Sequence, residues 1–170
     1  MTARHTTIST PVGDLLLVAN GAALTGLYFE GHRYPPAAAS LGAAVVAGVD
    51  PVFRQAHTEL DEYFAGRRTV FELELAPVGN DLQNRVWALL QKIPFGETTT
   101  YGRLAVQLGN RSLAQAVGQA VGHNPVSIII ACHRVVGADG KLTGYAGGIE
   151  RKQFLLELEE PALAKASKLF

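Results

Sequence analysis

The stretch that decides the fold runs from Asn80 to Pro125, NDLQNRVWALLQKIPFGETTTYGRLAVQLGNRSLAQAVGQAVGHNP. It predicts three helices in succession. The first has Asn80 or Asp81 as its cap and a stripe of Leu82, Val86, Leu89, Leu90 and Ile93, and Pro94 with Gly96 ends it. The second, TTTYGRLAVQLGN, is short and stops at Gly109; the third, SLAQAVGQAVGHNP, ends at Gly122 and Asn124-Pro125. Two short helices joined by a Gly-Asn turn read as a helix-turn-helix. Ala114, Ala116, Gly118 and Ala120 leave the third helix almost without side chains on one side. Such a helix either packs tightly on a neighbour or is thin enough to enter a minor groove. The residues alone leave both open.

Upstream, the character differs. HTTISTPVGDLLLVANGAALTGLYFEG alternates short apolar runs with Pro11-Val12-Gly13 and Asn20-Gly21 punctuation, which predicts a meander of two or three antiparallel strands. RYPPAAASLGAAVVAGVD reads as a loop with room for a short helix. Asp50 as N-cap, Pro51 at the first helical position, a Phe53, Leu60, Phe64 stripe and Gly66 as the stop predict a helix. VFELELAP alternates and reads as a strand. Gly79-Asn80 is the expected junction, and IERKQFLLELEE is a closing helix. The expected fold is α+β: residues 1–79 a small α/β domain with an antiparallel sheet, residues 80–170 a mostly helical domain with a winged helix-turn-helix.

The bulk properties bound the function. A chain of 170 residues buries a core without staples. No apolar run approaches the ~18 residues a membrane span needs, and MTARHTTIST lacks the apolar region of a secretory signal. One cysteine forms no internal disulfide, which points to a reducing cytoplasm. The net charge of zero is unevenly spread: residues 1–80 carry five arginines against eight acids, and residues 81–170 carry ten Lys/Arg against seven acids. A basic second half hints at a nucleic-acid face.

That one cysteine, Cys132, sits in ACHRVVG after the apolar run SIIIA. Cysteine packs readily as a small hydrophobe. Here, however, the expected strand end meets His133 and Arg134, and the turn-rich segments GADGK and GYAGG follow. A strand end beside loops is where catalytic groups collect, and a base or cation nearby activates a thiol. Neighbours on a strand face opposite ways. His133 therefore reaches the thiol only if the backbone turns there, or through a water. Glu157 and Glu159 on the closing helix are both candidates to orient the imidazole.

ACHRVVG, preceded by VGHNP and followed by GKLTGYAGGIERKQFLLELE, resembles the 6-O-alkylguanine-DNA alkyltransferases, the methylated-DNA–protein-cysteine methyltransferases. The likeness includes the VW of the first of the three helices, IPFGETTTYGRLA and AVGQAVGHNP, and extends more loosely to STPVG and ELDEYFAG. It implies direct, single-turnover repair of double-stranded DNA by a monomer without cofactor, with base flipping. It implies that Cys132 accepts the alkyl group, that His133 takes the thiol proton through a water, and that Glu159 holds His133. It implies that Asn124 braces the turn, and that Tyr101 crowds the target phosphate and donates toward the purine. Gln115, Ala114, Ala116, Gly118, Ser112 and Tyr101 would meet DNA. Tyr145, Val121 and the backbone around Val135 and Ala146 would line the guanine pocket, and Arg134 would be structural.

Three positions depart from the family pattern. Ala131 stands where proline usually precedes the cysteine, Gln115 where an arginine usually enters the base stack, and Leu82 where an aromatic is usual. These departures keep two further readings open: a weakly active or non-repairing binder of alkylated DNA, and a member diverted to a small-molecule alkyl donor. A Cys-His hydrolase would need an oxyanion hole, for which no motif argues. His5, His32 and His57 are scattered, so no metal site is expected.

Overall fold

The computed structural model describes residues 2–161. Strands β1 (Ala3–Thr10), β2 (Gly13–Asn20) and β3 (Ala23–Phe29) form the expected antiparallel meander. Gly13 (φ 98°) and Gly21 (φ 63°) occupy left-handed positions at its two turns, where a side chain would be strained. A short strand β4 (Ala43–Ala44), not foreseen, adds in parallel to β1, giving the order β3-β2-β1-β4. Helix α1 (Pro51–Phe64) lies against the sheet and buries Phe53, Ala56, Leu60 and Tyr63. Its cap, Asp50, accepts from Val52 N and Phe53 N and pairs with Arg4 of β1, so the helix start is tied to the sheet.

Two expected strands are absent. Val70–Pro77 pairs only at Leu75, with Leu24 N donating to Glu74 O at 2.9 Å and Ala76 N to Leu24 O at 3.0 Å. The run before Cys132 pairs only at Val126, where Leu27 N donates to Pro125 O at 2.8 Å. Both segments compete for the outer edge of β3, one at Leu24 and one at Leu27. Neither has enough edge to become a strand. After Val126 the chain coils back, with Ile130 N donating to Val126 O at 3.0 Å and Ile128 at φ 70°. A β-branched residue there is an outlier that its surroundings must hold in place, and Ile128 is buried. Cys132–Arg134 then form a 3-10 turn rather than a strand end.

The second half is helical. Helix α2 (Asp81–Gln91) opens on a capping box, Asn80 with Gln83, and buries Val86, Trp87 and Leu90. A Cβ on Gly79 would lie 2.4 Å from the Trp87 ring, so the junction passes too close for any side chain. Strand β5 (Thr99–Thr100) leads into α3 (Tyr101–Gln107), and after a 3-10 turn at Arg111–Leu113 comes α4 (Ala114–Gly122). Strand β6 (Val135–Val136) pairs in parallel with β5, and α5 (Ile149–Glu159) closes the described chain. Helix α4 rests on α2 and α3, and Trp87 Nε1 donates to Ala120 O at 2.9 Å.

The small residues of α4 do not share one side. At helical spacing Ala114 and Gly118 fall together, while Ala116 and Ala120 fall on another face; Ala120 is buried against Trp87. The exposed ridge carries Ser112, Gln115 and Gln119, flanked by half-buried Ala116 and Gly118. The core is continuous, with Leu27, Phe53 and Leu60 in the same cluster as Trp87, Val126, Cys132 and Leu155.

Candidate functional site

The 3-10 turn at Cys132–Arg134 places three consecutive side chains in the interior, with Cys132 3% and His133 0% exposed. The turn lets neighbours in sequence serve one site, which a strand would not. His133 Nε2 lies 2.7 Å from Glu159 Oε2. It is Glu159, not Glu157, that reaches it; Glu157 pairs with Gln153 along the exposed face of α5. The same carboxylate takes Arg134 Nε at 2.7 Å and Nη2 at 3.0 Å, and the Tyr63 hydroxyl from α1 at 2.6 Å. Arg134 also donates to Ile93 O and lies over the Phe95 ring. Its guanidinium is thus consumed by the framework, the structural part expected of it.

The electrostatics follow from burial and these bonds. Burial alone would raise the Glu159 pKa; the hydrogen bonds from His133 and Arg134 outweigh it and hold the carboxyl at about 2. Burial pushes His133 down, and Glu159 opposes that only in part. The imidazole is therefore neutral near pH 7. With a carboxylate at Nε2, the proton sits on Nε2 and Nδ1 is left as the base. Nδ1 is buried and has no hydrogen-bond partner among the described residues.

Burial raises the Cys132 pKa, against the opposing pull of Asn124, Tyr145 and Lys152. Such a thiol stays protonated until a base takes its proton. Lys152, on the first turn of α5, is fully buried, donates to Thr143 O at 3.3 Å, and is brought down to about 8 by burial, with Cys132 pulling the other way. Lys152 was missed from sequence: a lysine on a helix normally reads as surface. Asn124 Nδ2 donates to Ile130 O at 2.7 Å and its Oδ1 accepts from Val126 N at 3.0 Å. It ties the end of α4 to the segment that leads into Cys132.

A pocket of ≈ 180 Å³ lies beside this centre. Tyr101, Gly118, Val121 and Tyr145 line it, together with Arg33 and Tyr34 from the loop after β3. Tyr145 bridges pocket and thiol: its ring is on the wall, and its buried hydroxyl faces Cys132 and Ser127 without a hydrogen bond of good geometry to either. Tyr101 starts α3, and its hydroxyl lies 3.0 Å from Thr143 Oγ1. Val135 and Ala146 are not among the side chains that line this pocket. Val135 is fully buried in the β5–β6 pair, and Ala146 accepts Arg33 N at 2.9 Å through its carbonyl. Gln115 lies on the exposed ridge of α4 with half-buried Ala116 beside it, and Ser112 is exposed in the turn before the helix; none of the three lines this pocket. Among the described residues no group of His, Cys, Asp or Glu side chains could hold a metal, and no helix is long and apolar enough to cross a membrane.

A buried thiol set against a His–Glu pair, behind a pocket walled by aromatics and a small-residue helix, belongs to proteins that use cysteine as a nucleophile. The comparisons narrow that class. Residues 3–77 match the family model described as 6-O-methylguanine DNA methyltransferase, ribonuclease-like domain, and residues 81–161 match its DNA binding domain. A methylated-DNA–protein-cysteine methyltransferase of Mycobacterium tuberculosis is 48% identical over 157 residues, 92% of each chain. One from Haemophilus influenzae is 41% identical, over 92% of this chain and 86% of its own. The crystal structure of Mycobacterium tuberculosis OGT in complex with DNA superposes with a TM-score of 0.84 at 48% identity, covering 92% of each chain. The chain belongs to the methylated-DNA–protein-cysteine methyltransferase family.

Proposed function

We propose that this protein repairs DNA directly, moving the alkyl group of a 6-O-alkylguanine in duplex DNA onto Cys132 in a single irreversible turn. The observation that carries the reading is His133. Its Nε2 is held by Glu159 and its buried Nδ1 is unpartnered among the described residues, next in sequence to a thiol that needs a base. His133 takes the thiol proton through a water. Cys132 Sγ forms a bond to the alkyl carbon as the carbon–oxygen bond breaks, and that bond's electron pair goes to the guanine oxygen. The guanine takes up a proton from Tyr101 at the ring; Tyr101 is reprotonated from solvent and His133 returns the thiol proton to solvent, so no proton is gained or lost overall. The product thioether has no hydrolysable bond, so each molecule reacts once.

The lesion lies inside the stack, and turning it out costs a few kcal/mol. Helices α3 and α4, with β5–β6 as wing, act as a winged helix-turn-helix. Ala114, Ala116 and Gly118 keep α4 slim enough for the minor groove, Ser112 meets the backbone, and Gln115 takes the base-stack position. Tyr145 and Val121 form the guanine pocket, with backbone support from the segments of Val135 and Ala146. Asn124 positions the turn. Residues 1–79 and 80–170 form two units, a division supported by the family models falling either side of it. We take the protein to act as a monomer, and a reagent thiol is best kept in a reducing cytoplasm.

The test is an intact mass after incubation with a duplex holding one 6-O-methylguanine, with Cys132→Ser as control. One methyl replacing one hydrogen, on Cys132 alone and saturating at one per protein, is the expected result. No mass change in a protein that still binds that duplex makes it a lesion binder. No change and no binding points to a small-molecule alkyl donor.

A further inference from the structure

The sequence reading put all substrate handling in residues 80–170, but two residues of the pocket wall, Arg33 and Tyr34, come from the first half. We propose that Tyr34, stacked on His123, is a specificity-determining wall of the base pocket that limits the size of the 6-O substituent the protein accepts. This rests on the function proposed above.

The stack is tight. The Tyr34 and His123 rings lie 3.8 Å apart at the centroids and 18° from parallel. The Arg33 guanidinium lies over the outer part of the same assembly, 5.3 Å from the Tyr34 centroid. Both partners are anchored. Arg33 N donates to Ala146 O at 2.9 Å, which pins the loop after β3 to the segment carrying Tyr145. His123 follows the last residue of α4, and its Nδ1 lies 2.8 Å from Gln119 O. The stack therefore joins three walls: the loop after β3, the end of α4 and the loop before α5.

The pocket is narrow where they meet. A Cβ added to Gly122 would touch the Tyr34 ring at 3.7 Å. Gly118, Gly122 and Gly144 give width on their sides, so the limit is set by the bulky wall residues, and Tyr34 is the aromatic among them that comes from the first half. Removing it opens the pocket toward the exposed face of His123. Tyr34 belongs to the wall and not to the reacting groups, so its effect is read in the ratio of benzyl to methyl transfer rather than in either rate alone.

The experiment compares single-turnover rate constants for duplexes carrying 6-O-methylguanine and 6-O-benzylguanine. The variants are Tyr34→Ala, Tyr34→Phe and His123→Ala, each checked for an unchanged thermal midpoint. The benzyl-to-methyl ratio is expected to rise about tenfold or more in Tyr34→Ala, the scale on which pocket volume discriminates. A smaller rise is expected in His123→Ala, and none in Tyr34→Phe, which keeps the stack. An unchanged ratio in Tyr34→Ala, with methyl transfer intact in the parent, overturns this proposal and leaves the repair function standing. A rise in Tyr34→Phe as large as in Tyr34→Ala also overturns it, because the hydroxyl and not the ring would then be the determinant. A parent that transfers no methyl overturns both readings.

Discussion

Glu159→Gln tests the centre at its most connected point. The glutamine is the same size, but one of its two polar atoms becomes a donor. On one side that donor meets Arg134 Nε. On the other it meets His133, Tyr63 and Arg134 Nη2 together. In either rotamer Arg134, 7% exposed, loses its counter-charge. Stranding one partner of a buried ion pair costs about 3–5 kcal/mol. Linkage gives the same scale: a carboxyl brought from 4.5 to about 2 by folding contributes about 3 kcal/mol. At about 2–4 °C per kcal/mol for a chain of this size, the thermal midpoint should fall by about 6–20 °C. The sign with pH is fixed. Because the folded pKa is depressed, the contribution is full above 4.5 and is lost as pH falls from there toward 2. The variant should therefore lose the Glu159 share of the parent's stability difference between pH 6 and pH 3 and keep the share of Asp50, which Arg4 also holds below its ordinary value. Transfer should slow by about 10²-fold or more, because His133 loses the carboxylate charge in both rotamers and the bond that fixes its tautomer in one of them. Urea melts at the two pH values and a single-turnover assay provide the readings. A variant with the parent's midpoint, or with the parent's transfer rate, refutes the network as the device that orients His133.

Two further outcomes follow from the departures at Ala131 and Gln115. Ala131 already sits at φ −77°, within proline's range, so Ala131→Pro should raise stability by about 0.4–1 kcal/mol in urea melts and speed transfer by stiffening the approach to Cys132; a destabilised variant would show that this backbone does not fit the ring. Gln115→Arg restores charge to the exposed ridge of α4 and should tighten binding to lesion-bearing duplex in a titration, with a steeper salt dependence; unchanged affinity removes Gln115 from the DNA face.

What was legible and what was not divides by range. The meander came from local punctuation at Pro11–Gly13 and Asn20-Gly21, and α1 and α2 from their caps, all interactions within a few residues. The Val70–Pro77 alternation is real, since Leu73 is buried. It shares the edge of β3 with Pro125–Ser127, which pairs at Leu27, a long-range contact that no local pattern encodes. The SIIIA run misled for the same reason. At the site, the choice between Glu157 and Glu159 needed the rotation of α5 about its axis. Tyr63 was read only as part of a helix, because its partner is 96 positions away. Lys152 was hidden by its type, and Arg33 and Tyr34 by lying in a segment read as loop.

These long-range contacts explain why a chain with its nucleophile at position 132 needs its first half. A protein that reacts once gains nothing from turnover, so its whole advantage lies in holding the thiol ready without spending it on other electrophiles. Burial does the restraining, by keeping Cys132 protonated and 3% exposed. In the proposed reaction the His133–Glu159 pair does the enabling, and its carboxylate also accepts a hydroxyl from α1. The aim of the thiol depends on Ile128, whose left-handed backbone is held in the core, and on Val126, which is docked on β3. The pocket is closed by Tyr34. Three of these supports come from residues 1–79: the Tyr63 hydroxyl, the β3 edge that docks Val126, and Tyr34. A truncated second half would keep Cys132, His133 and Glu159 in sequence and lose the contacts that make them a site.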